Sequence, residues 1–390
     1  MITIILQQKK VRPIWHGHPW IFPKAIESMS GSPKVGELVN VLDAKQQPIG
    51  VGVFNPHSLY RVRMLSYAYE TFDQSSVDSI IHHRLIEALS LRQQLNLPNP
   101  STTAYRLFNS EGDGLSGLVI DVYNDIAVVS SSAYWAEQHR NMIEALISQC
   151  LPNTAILWRP QEKALKQDGW TLLKSSKPDE NVIRTVHEKN ITYEISFQHT
   201  QKTGLFLDQS ENHQVVANLS KGKRVLDLYC YSGGFALHAA KSGASKVTAI
   251  DSSVDAIGLG KKNAELNHVN IEWICDDVNK HLSKAQEYDI VILDPPKLVP
   301  SRQHLEKATQ HYRRLHEQVF QAMKPNSLLF TCNCSSAMTW DLFTAMLRDA
   351  ATASKKRIRC LGKYSASPDH PTLPAFPEGE YLRAVLLSVM

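Results

Sequence analysis

Four acidic positions fall where short apolar runs end. Asp227 sits at the end of Arg224–Leu228, Asp251 ends Lys246–Asp251, Asp276 and Asp277 follow Ile271–Cys275, and Asp294 ends Tyr288–Asp294. Each run has strand composition and precedes a helical stretch, which reads as a series of βαβ units. Ligands of open parallel sheets bind beyond the carboxyl ends of the strands, at the topological switch point. The acids therefore converge on one edge. After the first run comes Tyr229-Cys230-Tyr231-Ser232-Gly233-Gly234-Phe235, whose glycines let the backbone approach a ligand and start a helix tightly. A carboxylate at Asp251 can accept both hydroxyls of a ribose, and one at Asp276 or Asp277 can receive an adenine amino group. One such turn would be an ordinary βα connection; four strand ends in succession point to a nucleoside-bearing cofactor. No G-x-G-x-x-G follows the first strand, which separates the pattern from dinucleotide enzymes.

A fifth run, Ser327–Cys332, leads into Thr331-Cys332-Asn333-Cys334-Ser335-Ser336, next to the Asp294 strand end. Cys332 continues the apolar run and reads as core. Cys334 lies past it, in the loop facing the same edge, and is the candidate nucleophile, since a thiolate placed there can attack a bound base.

These residues need a scaffold. From about residue 190 the alternation of strand and helix predicts a parallel sheet with helices on both faces, closed by a late pair, Ile358–Lys363 and Tyr381–Val389. Residues 1–72 read as a small β-domain with strands at Ile2–Leu6, Glu37–Leu42, Ile49–Phe54 and Tyr60–Leu65. Residues 73–188 read as an α+β linker domain. It has a helix over Val77–Leu95, strands Gly117–Tyr123 and Ile126–Ser131 around an Asn124-Asp125 turn, a helix near 134–149, and strands near 154–158 and 182–187. The domains are thus expected at 1–72, 73–188 and 189–390.

The net charge is +4, and residues 1–70 alone carry eight Lys/Arg against four Asp/Glu, so the excess is concentrated there. Clustered positive charge at one end is a recurring footprint for phosphate. Lys24, Arg61 and Arg63 are the candidate RNA contacts, with Lys297 after Asp294-Pro295-Pro296; Trp20 and Phe22 read as core of the β-domain. Ser130–Ser132 and Lys174–Lys177 read as linker-domain surface. The six cysteines are irregularly spaced without a CxxC pair, which argues against a metal site or a secreted disulfide framework. No apolar run has membrane-span length, and the N-terminus is apolar then basic, the reverse of a signal peptide; a soluble, cytoplasmic protein is expected.

DLYCYSGGF, AIDSS, the DD of CDDV and LDPPK resemble motifs I to IV of class I methyltransferases acting on RNA bases. TCNCSSAMTWDLF, GHPWIF (17–22), EGDGLSGLVIDVY (111–123) and DHPTLPAFPEGEYLRAVLL (369–387) are similar to segments of the ribosomal RNA large subunit methyltransferase I family, over nearly the whole chain. The resemblance implies a PUA domain, an α+β linker and a Rossmann-like methyltransferase domain. It implies S-adenosylmethionine as cofactor, with Asp227 and Gly233 lining the methionine pocket, Asp251 on the ribose, Asp277 at adenine and Asp294 beside the methyl. Tyr229, Ser232, Ser252, Asp276 and Pro295 complete the set. Leu205-Phe206-Leu207-Asp208-Gln209 resembles the family's FLDQR segment, so Phe206, Asp208 and Gln209 are expected against the cofactor, although Ser210 and His213 stand where arginines are usual. Asp208 can equally serve a plain helix N-terminus. The implied reaction is methylation of C5 of one cytosine in 23S rRNA, free or in a large-subunit precursor. Cys334 aligns with the catalytic cysteine, and Asp294 can hydrogen-bond the N3/N4 edge of the base. Two other readings stay open: methylation of a base nitrogen, as at guanine, and an RNA-binding assembly factor with a vestigial cofactor pocket.

Overall fold

The computed structural model describes residues 2–171, 182–197, 204–297 and 305–390; Lys174–Lys177 lies outside them. The chain divides into two compact units. One comprises residues 1–186, 195–205 and 368–379, the other 187–194, 206–367 and 380–390.

In the first unit, strands β1 (Ile2–Leu6), β2 (Trp20–Ile21), β3 (Ile26–Met29), β4 (Leu38–Leu42), β5 (Pro48–Phe54) and β6 (Val62–Tyr67) form one sheet in the order β2-β6-β5-β4-β1-β3, with a helical turn α1 (Arg12–Trp15) after β1. Period-two alternation turns Ile4, Leu6, Val39, Val41, Val62 and Met64 into one core. Helix α2 (Val77–Gln94) is N-capped by Ser76, whose hydroxyl accepts from the Ser79 N–H. It shares a core with the sheet β10-β9-β8-β7, built from β7 (Ala104–Asn109), β8 (Leu118–Tyr123), β9 (Ile126–Ser131) and β10 (Ala155–Pro160). Strands β8 and β9 pair directly across Asn124-Asp125, with Asn124 left-handed at φ 60°, as the turn requires. Strand β7 escaped the sequence reading because a bulge between Arg106 and Phe108 breaks its alternation. The expected helix near 134–149 is interrupted at His139 into α3 (Tyr134–Gln138) and α4 (Arg140–Cys150). Ser130 and Ser131 are buried rather than on the surface, because β9 is an inner strand flanked on both sides. Helix α5 (Glu162–Gln167) follows β10, and β11 (Ile183–Glu188) with β12 (Ile191–Ser196) forms a hairpin turning at left-handed Lys189 and Asn190, of which residues 187–194 belong to the second unit.

The second unit holds the alternating region. Helix α6 (Ser210–Leu219) leads into β13 (Arg224–Leu228), α7 (Gly234–Lys241), β14 (Lys246–Asp251), α8 (Val254–Leu266), β15 (Glu272–Cys275), β16 (Ile290–Leu293), α9 (Leu305–Ala322), β17 (Leu328–Asn333), α10 (Trp340–Ala353), β18 (Ile358–Tyr364) and β19 (Arg383–Val389). The sheet order is β15-β14-β13-β16-β17-β19-β18, parallel except for the two pairings of β19. The order reverses between β13 and β16, which is the switch point. Neighbouring residues of one strand feed opposite faces. Leu226, Val291 and Leu329 pack with Tyr312 and Phe320 of α9 and Phe343 of α10. Val225, Ile292 and Phe330 pack with Val216 of α6, Phe235 of α7 and Ile257 of α8. The connection after β15 departs from expectation: two short 3₁₀ segments, Val278–Lys280 and Leu282–Glu287, replace a full helix. Among the described residues no helix is long and apolar enough to cross a membrane.

Candidate active site at the carboxyl edge of the sheet

Asp227 is buried near the tip of β13. Its Oδ2 accepts from the Ala236 N–H at 3.1 Å, while Oδ1 is buried without a hydrogen-bond partner. Burial pushes its carboxyl up to about 8, and the neighbouring Asp294 adds to the shift. The loop after it is wound tightly. Tyr229 (φ 64°), Tyr231 (φ 49°) and Gly233 (φ 86°) are all left-handed within five residues, a conformation costly for the two tyrosines and free for the glycine. A Cβ on Gly233 would meet the Trp273 ring at 2.4 Å. Ser232 is buried in the turn.

Asp251 fastens this loop. Its Oδ2 accepts from the Tyr231 N–H and its Oδ1 from the Ser253 N–H, both at 2.9 Å. Ser252 between them is exposed. At the next strand end the two candidate acids separate. Asp276 is engaged by Lys280 at 2.8 Å and His281 at 3.0 Å, and these hydrogen bonds hold its carboxyl well below the usual carboxylate range. Asp277 is exposed and uses Oδ1 to cap Asn279 at 2.9 Å. The Tyr229 phenol is raised by burial and by the Asp277 and Asp251 carboxylates.

Asp294, just past β16, accepts from Gln209 Nε2 at 2.8 Å, and Gln209 Oε1 accepts from Asn212 Nδ2 at 2.6 Å. Gln209 is the N-cap residue of α6, and Asp208 Oδ2 accepts from the Tyr381 hydroxyl at 2.6 Å. Phe206 stands edge-on to Tyr231, centroids 5.1 Å apart. The segment 206–209 thus meets both the β13 loop and the β16 tip. Pro295 is buried and Lys297 exposed. Leu293 lies opposite Thr331 in the ladder, which brings Asp294 beside Cys332. Cys332 is fully buried, and burial followed by the Asp294 charge drives its thiol well up. Cys334, one residue past β17, is half-buried. His316 of α9 supports this tip, with Nε2 at 2.8 Å from Thr331 Oγ1.

The sheet edge therefore gathers Phe206, Asp208, Gln209, Asp227, Tyr229, Gly233, Asp251, Asp277, Asp294 and Cys334. The sequence reading missed Tyr381, Trp273 and His316, which position these residues; their signal is burial, which one sequence does not display. The donor set fits S-adenosylmethionine: a buried unpartnered carboxylate oxygen at Asp227, a glycine whose Cβ would clash at 233, and carboxylates at successive strand ends.

The basic candidates of the first unit divide. Lys24 is exposed and Arg61 half-buried, its guanidinium donating to the Pro56 carbonyl at 2.6 Å. Arg63 is 6% exposed, donating to Asp168 at 3.0 Å and to Ser116 Oγ at 3.1 Å. It is a buried ion pair and not a phosphate contact, because both faces of β6 are covered. Phe22 is 38% exposed and Trp20 half-buried, stacked on Tyr60 at 4.0 Å, so neither is plain core.

Residues 4–67 match the family model of a PUA-like domain, and residues 165–377 match that of the S-adenosylmethionine-dependent methyltransferases. Two solved structures superpose over all of both chains with a TM-score of 0.81. One is a candidate SAM-dependent methyltransferase from Streptococcus mutans at 20% identity, the other a candidate methyltransferase complexed with SAH at 21%. They share the fold. Curated relatives extend the likeness. The ribosomal RNA large subunit methyltransferase I of Alteromonas mediterranea is 33% identical across 99% of this chain and 98% of its own. That of Photobacterium profundum is 32% identical across 98% of each, and that of Escherichia coli 29% across the full length of both. With a buried carboxylate, a glycine turn and a row of strand-end acids in one unit, and full-length relatives of one kind, the chain belongs to the ribosomal RNA large subunit methyltransferase I family of S-adenosylmethionine-dependent methyltransferases.

Proposed function

We propose that this protein methylates C5 of one cytosine in 23S rRNA, with Cys334 as the covalent nucleophile. The observation that carries the reading is the contrast between two thiols at one strand end: Cys332 is sealed in the core, whereas Cys334 is half-buried beyond it, on the edge that holds Asp294. S-adenosylmethionine, when bound, supplies an electrophilic methyl group; Asp227, Gly233, Asp251 and Asp277 would hold it, with Phe206, Asp208 and Gln209 alongside and Tyr229, Ser232, Ser252 and Pro295 shaping the turns.

Cytosine C5 is a weak nucleophile. The Cys334 thiolate adds to C6 and breaks the C5–C6 double bond, so that electron density moves to C5. After methylation C5 loses its proton to a base and the thiolate leaves, restoring the ring. Asp294, which accepts from Gln209 Nε2, would hydrogen-bond the N3/N4 edge and stabilise the adduct. Asp276 is withdrawn from the adenine role in favour of Asp277, since Lys280 and His281 occupy it. Lys24, Arg61 and Lys297 are proposed phosphate contacts, free rRNA or a large-subunit precursor being the partner. Replacing one of them by Ala should lower the salt slope of RNA binding by about 1.

Nucleoside mass spectrometry of 23S rRNA from cells lacking the gene tests the reading. One 5-methylcytidine should vanish, returning with the wild-type gene and not with Cys334→Ala. Loss of a methylguanosine, restored by both genes, would instead assign base-nitrogen methylation. An unchanged nucleoside profile would point to an assembly role.

A further inference from the structure

Away from the strand tips, three potential ligands meet inside the second unit. Glu188 ends β11, His213 lies on α6 and His238 on α7. Glu188 Oε1 is 2.7 Å from His213 Nδ1 and 3.2 Å from His238 Nε2. One donor atom from each lies within 4.8 Å of the other two, and all three side chains are buried. A further polar group lies on the strand paired with β11. The Tyr193 hydroxyl of β12 is buried with no hydrogen-bond partner.

We propose that Glu188, His213 and His238 bind a divalent transition-metal ion, with the Tyr193 hydroxyl as the fourth donor. Two imidazoles and a carboxylate are a donor set that suits Zn²⁺ and its first-row neighbours. Tetrahedral Zn²⁺ with bonds near 2.0–2.1 Å needs donor separations of about 3.4 Å, so the two measured separations need to open by well under 1 Å. Both ring nitrogens already aim at one oxygen, and an ion entering between them replaces these two hydrogen bonds by three coordinate bonds, one from the carboxylate and one from each imidazole. A neutral imidazole shifts its proton to the other ring nitrogen; a protonated one releases it to solvent.

Charge favours the same reading. A buried carboxylate is costly unless a positive charge meets it. A divalent cation held by His213 and His238 would supply that charge. The ring of His213 is held in place, because a Cβ on Gly234 would lie 2.5 Å from its Nε2. The ion would join the β11 end, α6 and α7, the helix launched from the Gly233-Gly234 turn. Its task would be structural, apart from the methyl-transfer chemistry.

The test uses the full chain, stripped by chelator and titrated with Zn²⁺ by calorimetry and with Co²⁺ by absorption. One equivalent of Zn²⁺ per chain is expected. The Co²⁺ spectrum should show d–d bands without thiolate charge transfer, which excludes the exposed Cys275 and Cys360 as ligands. Glu188→Gln and His238→Gln should each weaken binding at least tenfold, and Tyr193→Phe several-fold, with the circular dichroism of the metal-free protein unchanged. Absence of binding by the wild-type chain, a thiolate spectrum, or equal affinity in folded E188Q would each overturn the proposal. Should the variants misfold, the wild-type stoichiometry and Co²⁺ spectrum decide it alone.

Discussion

At the scale of single residues, the site depends on backbone and charge held in costly states. Gly233 adopts φ 86° and leaves no room for a Cβ against Trp273. A left-handed non-glycine residue costs about 1–2 kcal/mol before any clash. Gly233→Ala should therefore weaken S-adenosylmethionine binding at least tenfold in calorimetry, with circular dichroism unchanged; unaltered affinity would remove the turn from the cofactor site. Asp227 makes a second prediction. Burial and Asp294 raise its carboxyl to about 8, so it is protonated in the ligand-free protein at pH 7. A cationic ligand favours the ionised form and should expel that proton. Binding heats at pH 7, measured in buffers of different ionisation enthalpy, should report up to about one proton released, and Asp227→Asn should abolish the release. Buffer-independent heats in the wild type would contradict the assignment.

At the scale of elements, the strands do the positioning and their packing sets tolerances. Trp273 of β15 lies in a slot between Gly233 and Gly260 of α8; a Cβ at Gly260 would approach its ring to 2.5 Å. Gly260→Ala poses two opposed effects. Alanine gains about 1 kcal/mol of helix propensity over glycine, whereas overpacking a filled interior costs about 1–3 kcal/mol. The second effect should win, lowering stability by about 1 kcal/mol in urea unfolding and loosening the cofactor turn. A stability gain would mean the indole moves aside without cost. Strands β13 and β14 follow the sequence pattern to the residue, because each is an apolar run bounded by turn chemistry. The connection after β15 and the break at His139 were not legible, since composition marks a helical tendency without the geometry that shortens or interrupts it.

At the scale of the whole molecule, buried titratable groups link stability to pH. His316 is pushed down from 6.5 to about 4 by burial, so between those values the unfolded chain binds more protons and stability rises with pH. Asp227 has the opposite sign. Its carboxyl rises from 3.8 to about 8, so over that window the folded state binds more protons and stability falls with pH. Above pH 6.5 only Asp227 of this pair still acts. The ligand-free protein should lose stability from pH 6.5 to 8, and Asp227→Asn should flatten that slope in thermal or urea unfolding. An equal slope in both proteins would show that other groups govern it.

The amino-acid sequence by itself determined the features local along the chain. They include the parallel αβ alternation, the glycine turn after Asp227, the strand-end acids, and the sorting of Cys332 into the core and Cys334 beyond it. Each is set by neighbours within a few residues, where apolar runs, turn residues and strand ends coincide. Tertiary structure alone decided what depends on distant partners. It buried Arg63 against Asp168, 105 positions away, and tied Asp208 to Tyr381, 173 positions away. It also brought Glu188, His213 and His238 together from three separate elements. Spacing along the chain carries no sign of such meetings, because packing brings those partners together and sequence separation does not record it.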